Sequence, residues 1–159
     1  MQRARDIIEA ATKHKVTIAT AESCTGGKVA AALTAIPGAS AVFQSGLITY
    51  SNESKQELLS VPKAMLAKHG AVSEEVARAM AEAMRMKAKT TFAISVTGIA
   101  GPGGGSPEKP VGTVYIALAG EDHSVCRHHV FSGTRREIRL KALQKALDLL
   151  YEPLALLSS

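Results

Sequence analysis

The sequence predicts an α/β domain, a mixed β-sheet with helices packed on both faces. Three observations carry this. Short β-rich runs at 16–23, 41–50 and 91–98 alternate with segments of helical periodicity, as in strands joined by crossover helices. Two further β-rich runs, 112–120 and 124–131, adjoin across Gly120-Glu121-Asp122 and read as a consecutive antiparallel pair. The 159 residues, 46% of them hydrophobic, suffice for one domain with its own core, spanning residues 1–159.

Taken in order, Ile7, Ile8 and Ala11 recur at helical spacing and mark a helix over about 3–14. VTIATAES (16–23) is a buried strand that ends at Cys24-Thr25-Gly26-Gly27. The helical KVAAALTAI follows and is broken by Pro37-Gly38. AVFQSGLITY (41–50) is the second strand, with Gly46 as a bulge. SNESKQELLS is helical, and Pro62 opens another helix in its first turn. Ser73 caps a helix that runs to about Lys87, with Glu74 and Glu75 facing the positive end of its dipole. TFAISVTG (91–98) feeds a Gly/Pro-rich loop, and Thr134 with Glu137 forms a capping box before the last helix. Ile138, Ala142, Leu143, Ala146, Leu147 and Leu150 give that helix its apolar stripe.

Composition excludes several functions. Aromatics make up 4% and Trp is absent, so the core is aliphatic and stacking platforms for single-stranded nucleic acid are missing. The net charge is +5, but the basic residues are scattered, which suits a small anionic ligand better than direct nucleic-acid binding. Cys24 and Cys126 form no C-x-x-C pair, so reduced thiols are expected rather than a disulfide or zinc site. The N-terminal stretch has no apolar signal core, and no segment could span a bilayer; a cytoplasmic location without membrane contact is expected. Strand alternation sets Cys126 and His128 on one face and His123 and His129 on the other, so no metal is expected there.

Four segments bear on chemistry. Ser23 lies where a buried strand gives way to a helix, the end that faces the ligand crevice in α/β folds. The amides from Cys24 to Gly27 would face an oxyanion there, with Gly26 and Gly27 clearing side chains from the approach. This geometry suits a serine nucleophile, and equally a Ser23 or Thr25 that caps the helix. Cys24 is the rival nucleophile, although isolated cysteines are usually packing residues. Lys55 falls in a helix first turn, where the dipole and partial desolvation would lower its pKa and supply a neutral base. Tyr50 could relay that proton, or else these two are a surface lysine and an edge aromatic. Arg135 and Arg136 repeat a cation at a helix start, which a bound phosphate would reward and Glu137 could instead neutralise. The loop from Gly98 to Gly112 lacks the P-loop lysine and the third glycine of a dinucleotide fingerprint; it either covers a ligand or merely connects.

TAESCTGG (20–27), PGAS (37–40), GLITYSNESK (46–55), SVTGIAGPGGG (95–105), KPVGTVYIA (109–117) and FSGTRREIR (131–139) stand in one order over Val16 to Leu150. Together they resemble the C-terminal domain of the CinA family, the nicotinamide-nucleotide amidases. The resemblance implies a three-layer α/β/α sandwich that hydrolyses nicotinamide mononucleotide to nicotinate mononucleotide and ammonia without a cofactor or metal. It implies Ser23 as nucleophile, activated by Tyr50 and Lys55. Thr25, Gly26, Gly27, Thr97, Gly98, Gly101, Arg135 and Arg139 are the expected substrate-binding residues. The expected partners are that nucleotide and further copies of the chain, in a homodimer or higher homo-oligomer. Ser45 replaces a glycine of many members, and Thr134 an aspartate. The separate N-terminal domain of longer members is not expected. The alternatives are a non-enzymatic module of competence or DNA damage acting through protein partners, and a hydrolase of another small amide.

Overall fold

The computed structural model describes residues 1–159. In chain order the elements are α1 (Gln2–Lys13), β1 (Ile18–Glu22), α2 (Lys28–Thr34), β2 (Phe43–Ile48), α3 (Asn52–Leu59), α4 (Lys63–His69), α5 (Glu74–Ala88), β3 (Phe92–Gly98), β4 (Thr113–Ala119), β5 (Ser124–Val130) and α6 (Arg135–Leu157). A 3-10 turn, Ala39–Ala41, precedes β2. The sheet has the order β2-β1-β3-β4-β5. β1 is parallel to both its neighbours, while β3-β4 and β4-β5 are antiparallel, so the sheet is mixed as the sequence predicts.

The strands are sorted by side-chain size. One face presents Ile18, Ile94, Val96, Val114, Ile116 and Leu118 to α1, α2 and α6. The other presents Ala19, Ala21, Ala93, Ala117 and Ala119 to α3, α4 and α5. Because the centre of this second face is built of alanine, α5 can settle close on the sheet, with Ala77 and Ala81 against Ala117 and Ala119. Ser95 fits the same layer by donating its hydroxyl to the Ala77 carbonyl at 2.6 Å. These are three layers, α/β/α. No helix is long and apolar enough to cross a membrane.

One local reading is corrected. The irregularity in β2 lies at Gln44, because Ile18 pairs with Phe43 and Ala19 already with Ser45. Gly46 pairs regularly with Thr20, and is glycine because a Cβ there would collide with Thr20 Oγ1. The last helix also runs past Leu150 and through Pro153 to Leu157. The expected caps are in place, Ser73 on α5 and the Thr134–Glu137 box on α6, and Ser51 caps α3.

Connections from β1 and β2 leave on opposite faces, α2 on one and α3 to α5 on the other. The crevice at such a reversal lies beyond the strand ends, which places it over the residue that follows β1. That residue is Ser23.

Candidate active site

Ser23 is nearly buried, and its backbone N–H still donates to Val96 O at 2.9 Å, so the end of β3 fixes its position. Lys55 approaches it from α3. This lysine is 1% exposed, although it stands only four residues beyond the capping Ser51. Its Nζ lies 3.1 Å from Ser23 Oγ, 2.7 Å from the Thr49 carbonyl and 3.4 Å from the Tyr50 carbonyl. No carboxylate pairs with it. Burial therefore holds the amine below the ordinary lysine value of 10.5, against a weaker opposing effect from Cys24. The sequence reading invoked the helix dipole as well; in the folded chain burial is the dominant cause.

Neutral, this amine has two N–H donors and one lone pair. The two carbonyls take the donors, and the lone pair is left for the Ser23 hydroxyl proton. The pair can thus deprotonate a serine with no histidine or acid behind it.

Cys24, the rival nucleophile, is buried and its thiol is pushed up to about 11, chiefly by that burial. Almost none of it is thiolate near neutrality, so the sulfur is a poor nucleophile where it stands.

The turn that carries both residues is held from beneath by Glu22, which sequence reasoning missed. Its buried carboxylate accepts from Thr25 Oγ1 at 2.7 Å, Val29 N at 2.9 Å and Ala30 N at 3.0 Å. An acid closing a strand just before a helix start was the available signal. Arg139 holds the turn from above, donating to the carbonyls of Cys24 at 3.0 Å and Thr25 at 3.2 Å. The Thr25 hydroxyl and two of the five Arg139 donors are thus engaged in holding the turn.

Gly26 and Gly27 adopt φ of +58° and +100°, which alone favours glycine. A Cβ on Gly26 would sit 3.2 Å from Arg139 Nη2, and one on Gly27 would sit 3.2 Å from Ile48 Cδ1. Both glycines answer the conformation of the turn and its packing. The Gly26 N–H donates to Ser23 O, whereas those of Cys24, Thr25 and Gly27 have no protein acceptor. These are the amides available to an oxyanion.

A cleft of about 160 Å³ opens over Ser23 and Lys55. Cys24, Tyr50, Ala71, Val72, Thr97, Gly98, Ala100 and Arg135 complete its lining. Thr97 Oγ1 is spent on the Ala71 carbonyl at 2.8 Å, which fixes the opposite wall. Gly98 is glycine because a Cβ would press on β4 at Thr113 and Val114. Lys109 Nζ donates to the His69 carbonyl at 2.6 Å and ties the Gly/Pro loop to the same wall. A wider depression of about 590 Å³ beside His69, Tyr115 and His128 has mixed charges, and no nucleophile in it meets a base.

Arg135 spans the mouth of the cleft. It donates to Gly101 O at 2.7 Å and to the Tyr50 hydroxyl at 2.8 Å. The phenol of Tyr50 thus meets Arg135, while only the Tyr50 carbonyl meets Lys55. Arg136 is exposed beside it. No group of three His, Cys, Asp or Glu side chains is placed to hold a metal ion.

Comparison with known proteins agrees with this architecture. Residues 1–154 match the model of the CinA C-terminal domain. The CinA-like protein of Citrifermentans bemidjiense is 53% identical over 133 residues, 84% of this chain. The match covers 32% of that protein, so the chain spans about a third of the length of such relatives. The crystal structure of the competence/damage inducible protein CihA from Agrobacterium tumefaciens is 43% identical, with a TM-score of 0.92 over 94% of this chain and 92% of that one. The competence damage-inducible protein A (ComA) of Klebsiella pneumoniae superposes with a TM-score of 0.93 at 36% identity, over 97% and 96% of the two chains. The chain belongs to the CinA C-terminal domain family.

Proposed function

We propose that this domain is a serine amidohydrolase that converts nicotinamide mononucleotide to nicotinate mononucleotide and ammonia. One observation carries the reaction class: a buried amine without a counter-charge, 3.1 Å from a serine hydroxyl at a strand end. Neutral Lys55 takes the Ser23 proton as Oγ attacks the carboxamide carbon. Free amides of the turn stabilise the resulting oxyanion. The Lys55 ammonium then protonates the departing nitrogen, ammonia leaves, and a water activated by the same amine hydrolyses the ester on Ser23.

Three features support the nucleotide as substrate. The resemblance of the motifs to the nicotinamide-nucleotide amidases implies it. Arg135, among the lining of the cleft, stands without a carboxylate partner and is available to a charged substituent. The cationic pyridinium also withdraws electrons from its own carboxamide and favours attack. A non-enzymatic interaction module would leave the buried Ser23–Lys55 pair without a purpose.

The test is ammonia release from nicotinamide mononucleotide, nicotinamide riboside and nicotinamide at equal concentrations. The nucleotide should be the preferred substrate. Release from none of the three, or from nicotinamide alone, would refute the reading.

A further inference from the structure

Arg135 is an exposed arginine without an acidic partner, yet two of its donors are taken. The acceptors come from distant segments: the Tyr50 hydroxyl, just beyond β2, and the Gly101 carbonyl, in the loop after β3. Both are neutral. Lys55 has no use for the phenol, because the Thr49 and Tyr50 carbonyls and the Ser23 hydroxyl already complete its shell.

We infer that Tyr50 is a positioning residue, which with the Gly101 carbonyl braces Arg135 across the cleft mouth as the anchor for an oxyanion of the substrate. This rests on the amidase reading above and names the residue that makes the site select a phosphorylated substrate. A guanidinium has five N–H donors, and the brace engages two, leaving three for an oxyanion. Neutral acceptors leave the positive charge uncompensated, and a charge-assisted bond to an oxyanion is about twice as strong as a neutral one. An unbraced arginine would lose much rotamer freedom on capturing the ligand, which weakens binding. Here folding has already ordered it. The proton of Ser23 goes straight to Lys55, so the phenol transfers none.

The test is Tyr50→Phe, which keeps the ring and the cleft wall but removes the acceptor. KM for nicotinamide mononucleotide should rise about three- to tenfold, the worth of one hydrogen bond, with kcat changed less than twofold. Since the riboside carries no phosphate, its kcat/KM should change less than twofold. In the Arg135→Ala background, Tyr50→Phe should add nothing. A kcat that falls tenfold or more on both substrates would make Tyr50 a proton relay and overturn the inference. Calorimetric titration with inorganic phosphate separates this from the function itself. If the wild type releases no ammonia from either substrate, the amidase reading fails and the titration alone decides. Weaker phosphate binding by both Tyr50→Phe and Arg135→Ala would uphold the brace. Equal binding by Tyr50→Phe, or none by the wild type, would overturn it.

Discussion

Replacing Lys55 with methionine should abolish activity and remove a pH dependence from the stability of the protein. Methionine fills a similar volume, and it removes a buried ionisable group that has no counter-charge. Loss of the amine strands the Thr49 carbonyl, at about 1–3 kcal/mol. Against this stands the depressed basicity of the lysine. Folded, the amine binds its proton less tightly than unfolded, so the unfolded chain holds more protons below pH 10.5. Stability of the wild type is therefore lowest below the folded pKa and recovers as pH rises toward the unfolded value. Each tenfold weakening of the base removes about 1.4 kcal/mol, or about 3–6 °C of Tm in a chain of this size. Thermal melts of both proteins from pH 6 to 10 should thus show the wild type gaining on Lys55→Met as pH rises. Over the same range wild-type kcat should climb as the amine loses its proton, while the variant retains at most about one part in 10² to 10⁴. A Tm difference that does not change with pH, or a variant with a tenth of the activity, would refute the reasoning.

Ser23→Ala should eliminate deamidation, whereas Cys24→Ala keeps at least a tenth of it; thiol alkylation that silences an active Ser23→Ala protein would move the nucleophile to Cys24. Glu22→Ala strands two amides and a hydroxyl and should lower stability by about 2–4 kcal/mol, read in urea melts. Glu22→Gln, which keeps one acceptor, should lose clearly less; equal losses would deny the carboxylate its place under the turn. Arg135→Ala should raise KM for the nucleotide by tenfold or more with little change in kcat, and the opposite pattern in steady-state kinetics would put Arg135 in the chemistry.

The parts of this fold legible in the sequence are those that neighbouring residues decide. Strand runs, the Ser73 and Thr134 caps and the breaks at Pro37 and Gly38 follow from local periodicity and backbone preference. Thr134 caps α6, since its hydroxyl accepts from the Glu137 N–H. Ser23 was legible because a strand end in such a fold announces the crevice. The burial of Lys55 was not, because a lysine beside Glu53, Ser54 and Gln56 reads as solvated until α3 is docked on the sheet. Nor could spacing reveal that Tyr50 meets Arg135, 85 positions away, or that Arg139 clasps the turn carrying Ser23. Gly26 and Gly27 read as room for a ligand, and the folded turn adds a second reason for glycine, a positive φ at both.

The alanine face of the sheet has a mechanical consequence. α5 begins directly after Ala71 and Val72, two residues of the cleft wall, and its height above the sheet is set by Ala77 and Ala81 on Ala117 and Ala119. That layer works as a shim. One added methylene there lifts the helix at its seat, and the rigid helix carries the displacement to the far wall of the cleft. Substrate gauge in this scaffold can therefore be machined from the interior, by residues that never meet a ligand.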